Sequence, residues 1–184
     1  RLYESYPHHN AVFVGKDKDG QPRYACLRGI GTDFKGEATG SDKRFSFSIP
    51  AEESSQVLYL FESAIDLLSF AAMAQEDRLP WRSQHLLSLA GVYQPKKNLT
   101  ERHLPLALSQ YLRDHREIQT IYLCLDNDLA GRSAADAIRQ QLAGRYVVLD
   151  GFPCQGKDYN DWLCLRKGLP ITRTVSKPER SMAR

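Results

Sequence analysis

Thr120-Ile-Tyr-Leu-Cys-Leu-Asp126-Asn-Asp128-Leu-Ala-Gly131-Arg-Ser-Ala-Ala-Asp-Ala-Ile-Arg-Gln-Gln-Leu142 is the stretch that decides the fold. A short apolar run ends in two carboxylates one residue apart. A glycine follows, and then a long pattern with helical spacing. This predicts a buried strand that carries Asp126 and Asp128 to its C-terminal edge, with a helix over 131–142 behind it. In open α/β sheets that edge is where ligands bind.

Working outward, the same alternation recurs. Val57-Leu-Tyr-Leu-Phe61 reads as a strand and Ile65 to Ala74 as a helix. His85 to Leu89 is a strand, Leu104 to His115 a helix, Ile118 to Leu125 the central strand, and Tyr146 to Leu149 a fourth. Asp158 to Lys167 is a final short helix. Apolar strands separated by helices predict a mainly parallel sheet of about four strands covered on both faces. Residues 1–55 differ. Ala11 to Val14 and Arg23 to Leu27, with Asp19-Gly20 between them, predict a hairpin. Gly29, Gly31, Gly36 and Gly40 predict loop or irregular edge structure. Phe45-Ser-Phe-Ser-Ile49 alternates as a half-buried strand would. The predicted division is a β-rich basic module over 1–55, an α/β domain over 56–168 and a basic tail over 169–184.

The composition is that of a globular chain: 42% hydrophobic, 26% charged, net charge +3. No apolar run approaches the ~18 residues of a membrane span, so no membrane association is expected. The chain opens on Arg1 and not on Met, which suggests a piece of a longer protein. Cys26, Cys124, Cys154 and Cys164 form no C-x-x-C pair. His8 and His9 stand far from them, so spacing does not point to zinc. A reducing cytoplasm is the expected location. Residues 1–50 and 151–184 are net basic and residues 51–150 net acidic. That asymmetry suits a polyanion held beside a metal-binding carboxylate cluster, and equally a basic surface tail with no partner.

The topology predicts that acids gather at one sheet edge. Glu62 follows the first strand, and Asp66 lies in the first turn of the next helix. Asp126 and Asp128 share a face of an extended segment. Asp158 and Asp161 follow the last strand. Carboxylates so clustered repel unless they share protons or bind a cation. Hard divalent cations such as Mg²⁺ or Mn²⁺ take such oxygen donors and complete their shell with phosphates. A glutamate set slightly apart could act as general acid or base. Taken singly, Asp66 could complement a helix dipole, and Asp128, Asp158 or Asp161 could cap a helix. Ser88 and Gly91 fit packing and turn roles better than a phosphate contact.

Glu62 with Asp66, Asp126-x-Asp128 with Ala130-Gly131, and Gly156-Lys157-Asp158 together resemble the TOPRIM domain over roughly residues 56–165. Within that superfamily the likeness is to the bacterial-primase group. Asn10 to Gly15 and Phe34 to Phe45 resemble a small module that precedes TOPRIM in primase-like proteins of bacterial mobile elements. The resemblance implies a Rossmann-like α/β sheet. It implies Glu62 as general acid/base, Asp126 and Asp128 as the metal pair, and Asp66 and Asp158 as further acids around Mg²⁺ or Mn²⁺. Primases commonly place another aspartate where Asn160 stands, and Asp161 follows it. Lys35, Lys43, Arg44 and Lys157 are the expected nucleic-acid contacts, of the kind that give affinity without sequence choice.

These implications favour a primase-like nucleotidyltransferase acting on single-stranded DNA and nucleotides in the replication of a mobile element, alongside other replication proteins. A TOPRIM nuclease and a binding module without turnover stay open. A topoisomerase is disfavoured, because strand passage needs a tyrosine nucleophile on further large domains.

Overall fold

The computed structural model describes residues 1–91 and 103–171. All but the first residues of the basic tail expected over 169–184 therefore lie outside the described residues. The described residues form nine strands and four α-helices. The first four strands are β1 (Leu2–Glu4), β2 (Ala11–Lys16), β3 (Pro22–Arg28) and β4 (Lys35–Glu37). They make an antiparallel sheet in the order β1-β2-β3-β4. The hairpin between β2 and β3 turns where expected. Asp17 Oδ1 accepts from the backbone N–H of Asp19 at 3.1 Å and of Gln21 at 2.9 Å, so its side chain closes the turn.

The second sheet holds β5 (Ser48–Ile49), β6 (Val57–Phe61), β7 (His85–Ser88), β8 (Thr120–Cys124) and β9 (Val147–Asp150) in the order β5-β7-β6-β8-β9. The last four run parallel, and β5 pairs antiparallel with β7. Helices α1 (Ala64–Glu76), α2 (Leu106–Asp114), α3 (Leu129–Leu142) and α4 (Tyr159–Arg166) cover it. Alternate strand residues enter two separate cores. Leu58, Leu60, Leu87, Ile121 and Leu123 pack with Ala107, Leu108, Ala135 and Ile138 of α2 and α3. Phe61, Leu86 and Cys124 pack with Leu67 and Ala71 of α1 and with Tyr159 of α4.

That second core also contains Phe13, Tyr24, Cys26 and Phe47. The N-terminal sheet is therefore docked onto the parallel sheet through a shared apolar interior. Phe13 meets Phe47 edge to face, with ring centroids 5.6 Å apart. Gly15 makes the close approach possible, since a Cβ there would lie 1.8 Å from the carbonyl oxygen of Phe45. β5, before residue 55, joins the second sheet, so the apolar interior runs on across the expected division.

Three local expectations change. Lys35–Glu37 is an edge strand where glycines suggested loop or irregular edge structure; it pairs with β3, Cys26 opposite Glu37, and the Tyr24 hydroxyl donates to Glu37 Oε1 at 3.0 Å. Lys43–Phe45 is a 3₁₀ turn whose N-cap, Asp42, accepts from Arg44 N–H. The half-buried strand over Phe45 to Ile49 shrinks to two residues. Ser46 and Ser48 are buried along with Phe47, because both faces of this segment are covered. Ser46 Oγ and Ser88 Oγ satisfy each other at 3.0 Å, which gives Ser88 a packing role. The four cysteines are free thiols, with Cys124 buried as expected. Among the described residues no helix is long and apolar enough to cross a membrane.

Candidate functional site

The order of the parallel strands fixes where a site can form. The chain passes from β6 through α1 to β7 on one side, then crosses to β8 on the other. The C-terminal ends of β6 and β8 therefore flank a topological switch point. Their register places Phe61 opposite Cys124, so Glu62 and, one residue further on, Asp126 leave the same ends of adjacent strands, close enough for the Asp126 charge to act on Glu62.

Each acid is held by its own local structure. Ser63 caps α1 and donates its hydroxyl to Asp66 Oδ2 at 2.6 Å. The N–H of Asn160, at the start of α4, reaches Asp66 Oδ1 at 3.3 Å. Asp128 is the N-cap of α3, with Oδ1 accepting from Gly131 N–H at 2.9 Å. Asp158 is the N-cap of α4, accepting from Asp161 N–H at 2.7 Å. The capping and dipole roles weighed from sequence are therefore present together with the clustering. A cap uses one carboxylate oxygen and leaves the other free.

Gly131 is where the motif needs glycine. A Cβ there would lie 2.1 Å from the carbonyl oxygen of Asp126. Gly→Ala inside a helix ordinarily gains about 0.5–1 kcal/mol. Here overpacking against fixed backbone costs about 1–3 kcal/mol and wins. Gly131→Ala is thus expected to lower stability in urea denaturation; a rise would refute the close packing of strand end and helix.

The electrostatics show how tightly the acids are gathered. Burial, and next the charge of Asp126, pushes the Glu62 carboxyl up to about 7, with Lys157 pulling the other way. Burial pushes Asp66 up to about 6, opposed by the Ser63 hydrogen bond and aided by Asp158 and Asp126. Burial also raises Asp126, against the pull of Lys157. Asp128, more exposed, is held below its ordinary value chiefly by the Gly131 N–H.

Lys157 is the cluster's own counter-charge. Its Nζ lies 2.8 Å from Asp126 Oδ2 and 3.2 Å from Asp128 Oδ2. Its ammonium is stabilised first by the hydrogen bond to Asp126. The loop that carries it is tied to the β8 end by Asn127 N–H donating to Lys157 O at 2.6 Å. Asp161 is buried, and its Oδ2 accepts the Lys157 N–H at 3.0 Å, so it shapes this loop.

The structure thus gathers Glu62, Asp66, Asp126, Asp128, Asp158 and Lys157. It spreads the remaining basic residues over the N-terminal module. Lys43 pairs with Glu37 at 3.0 Å and borders a small cleft beside Ala90 and Gly91. Gly91 N–H bonds the Glu62 carbonyl, so that cleft adjoins the acids. Arg44 is paired with Asp42, and Lys35 is exposed on β4. The position of Lys157 between two aspartates had no signal in the sequence beyond its place in the Gly-Lys-Asp motif.

The raised Glu62 carboxyl gives a pH signature. Between the ordinary carboxylate range and about 7, the folded chain holds a proton that the unfolded chain has released. Stability from this group is therefore full at acid pH and falls as pH rises through that window. In metal-free buffer, Glu62→Gln should match the parent chain near pH 5 and exceed it by about 1–2 kcal/mol near pH 8, after allowance for solvent screening. Denaturant midpoints across pH check this, and a gap that does not widen with pH contradicts it.

Two family models match the chain. The Toprim-like model covers residues 59–163, and a family of unknown function (DUF3991) covers residues 1–54. A "65 kDa protein" of Zymomonas mobilis is 27% identical over 174 residues, which are 89% of this chain and 28% of that protein. The chain therefore spans a little over a quarter of the curated relative it matches. Among solved structures, the primase fragment of the bacteriophage T7 primase-helicase superposes with a TM-score of 0.58 at 18% identity, covering 91% of this chain and 62% of that one. A DNA primase domain from Pseudomonas aeruginosa gives 0.56 at 16% identity, covering 90% and 52%. At these identities the likeness is one of fold.

Proposed function

Since the chain belongs to the Toprim-like family across residues 59–163, we propose that it is the core of a divalent-metal-dependent nucleotidyltransferase of the primase kind, working on single-stranded DNA and nucleotides. The observation that carries this reading is the convergence of Glu62, Asp126 and Asp128 at the switch point of the parallel sheet. The fold likeness to primase fragments supports it.

The donors fit the metal. They are carboxylate oxygens, the hard set that suits Mg²⁺ or Mn²⁺. Glu62 and Asp66 are raised first by burial and then by neighbouring carboxylates, Asp126 for Glu62 and Asp158 and Asp126 for Asp66, and a cation relieves both costs. Asp126 and Asp128 would hold it, with Asp66 and Asp158 around them, and Lys157 would give up or share the aspartates it now pairs with. A divalent cation there would neutralise charge on the transferring phosphoryl group and orient it.

The chain's own residues do the rest. Glu62, held near neutrality and half-buried, takes the proton from an attacking 3′-hydroxyl or returns it to the leaving group. Asp161 holds the Lys157 loop at its distance from Asp126. Lys43, beside the cleft next to Gly91, and Lys35 on β4 offer a path for a phosphate backbone towards the acids. A mobile-element replication role, with other replication proteins as partners, follows from the resemblance of the N-terminal module and is proposed on that ground alone.

Incubation with a single-stranded DNA template, labelled nucleotides and Mg²⁺ or Mn²⁺ tests the reading. Metal-dependent and template-dependent oligonucleotide products, abolished by EDTA, are expected. Metal-dependent cleavage of the DNA without incorporation would move the reading to a nuclease. DNA binding with neither reaction would leave a binding module.

A further inference from the structure

A second group of metal-competent side chains lies away from the acidic edge, at the N-terminal end of the parallel sheet. His85 opens β7, His115 is the C-cap of α2, and Glu117 lies in the loop that leads to β8. One ligand atom from each lies within 4.8 Å of the others. His115 Nδ1 is 3.2 Å and His85 Nε2 3.6 Å from Glu117 Oε1. Donors about 2.1 Å from one tetrahedral ion sit about 3.4 Å apart, so both measured pairs have the separation that a shared ion imposes.

The second observation concerns His85 itself. It is 3% exposed, and its Nε2 is a buried polar atom with no hydrogen-bond partner among the described residues. Burial, and next the His115 ring, favours the neutral imidazole over the weaker opposing pull of Glu117 and the Ser55 backbone, and Ser55 makes no hydrogen bond to Nε2. Buried polar atoms are nearly always satisfied, and an orphan calls for a bound water or ion. The other ring nitrogen is partnered. Nδ1 lies 3.0 Å from the Tyr111 hydroxyl, with Ala51 N–H more distant at 3.4 Å. A cation at Nε2 selects the tautomer with Nδ1–H donating to Tyr111, and the long 3.4 Å contact in which Ala51 N–H donates to Nδ1 is then given up. This is the arrangement in which a second partner fixes a metal-binding histidine. Tyr111 also stacks on His115, with centroids 4.2 Å apart, so one aromatic side chain orients both imidazoles.

We propose that His85, His115 and Glu117 form a site for a borderline divalent cation, Zn²⁺ above all, that ties the start of β7 to the end of α2 and the loop after it. Imidazole with one carboxylate selects Zn²⁺ over Mg²⁺. Three protein donors leave one position for water. The partial exposure of Glu117 and His115 provides the entry path, with side chains 40% and 25% exposed. The site shares no residue with the carboxylate cluster, so it stands or falls independently of the nucleotidyltransferase reading.

The test titrates the 184-residue chain with Co²⁺ as a spectroscopic probe, in excess Mg²⁺ to fill the carboxylate cluster, and then displaces Co²⁺ with Zn²⁺. One equivalent of Co²⁺ with the strong visible absorption of four-coordinate geometry is expected, retained in Asp126→Asn. His115→Ala and Glu117→Gln change partly exposed residues and should still fold, as circular dichroism would verify. Each should weaken Zn²⁺ binding by about 100-fold or more. His85→Ala should do the same if it folds. Absorption typical of six-coordinate Co²⁺ alone, a thiolate charge-transfer band, or affinity unchanged in both His115→Ala and Glu117→Gln would overturn the proposal.

Discussion

Glu62→Gln is expected to cut nucleotide incorporation by about 10²–10⁴-fold, the usual worth of a positioned acid or base, while divalent-metal binding changes little. The substitution keeps the size of the side chain and removes only its ability to exchange a proton. Burial and the neighbouring Asp126 hold this carboxyl up to about 7, close to the pH at which such a group is most effective. The same change relieves charge crowding, so the variant should be inactive and, in metal-free buffer above neutrality, more stable. Loss of activity with a gain in stability separates a proton-handling role from general damage. Single-turnover incorporation together with Mn²⁺ binding reads both. Parent-like turnover would remove Glu62 from the chemistry, and parallel loss of Mn²⁺ binding would make it a ligand.

Asp126→Asn and Asp128→Asn are expected to weaken Mn²⁺ binding by about 100-fold or more each, since a hard cation loses an anionic donor from a set that includes few others, and to abolish turnover with it. The two substitutions are informative for different reasons. Asp128 also caps α3 through Gly131 N–H at 2.9 Å. Asparagine caps as well as aspartate, so Asp128→Asn should keep the helix start and lose only the charge. Asp126 is 6% exposed and pairs with Lys157 at 2.8 Å. Its replacement leaves that amine with Asp128 alone. The Lys157 side chain is 42% exposed and can turn to water, so little stability should be lost. Calorimetric titration with Mn²⁺ measures the affinities, and thermal unfolding in EDTA measures the stability.

The parallel sheet was legible because its strands carry their signal in their side chains. Val57 to Phe61 and Thr120 to Cys124 are apolar on both faces, as strands covered on both faces must be. The acids at their ends were legible for the same reason, since an apolar run that stops at a carboxylate marks where the sheet meets water. The N-terminal sheet was only half legible. Lys35–Glu37 and Leu2–Glu4 are held by backbone pairing, and their exposed side chains show no pattern to read. Residues 45–49 misled because alternation implies one covered face, whereas the docked module covers the other and buries Ser46 and Ser48 too.

Within the site, sequence spacing could not separate Asp161 from its neighbours. One backbone contact to Lys157 turns it into the loop, while Asp158 three residues earlier caps α4. Nor could spacing show the Lys157 ammonium between Asp126 and Asp128, because that contact joins the ends of two different βα units. His85, His115 and Glu117 escaped for a related reason. They come from a strand, a helix end and a loop, and no local repeat brings them together.

Asp126 and Asp128 are expected to hold one divalent cation, with Glu62 facing it. Diffraction from crystals grown with Mn²⁺, using the anomalous signal of the metal, tests it most directly. The account predicts a peak at coordination distance from Asp126 and Asp128, facing Glu62, with Lys157 no longer bridging both aspartates. Saturating Mn²⁺ with no peak there, and Lys157 still between Asp126 and Asp128, would contradict it.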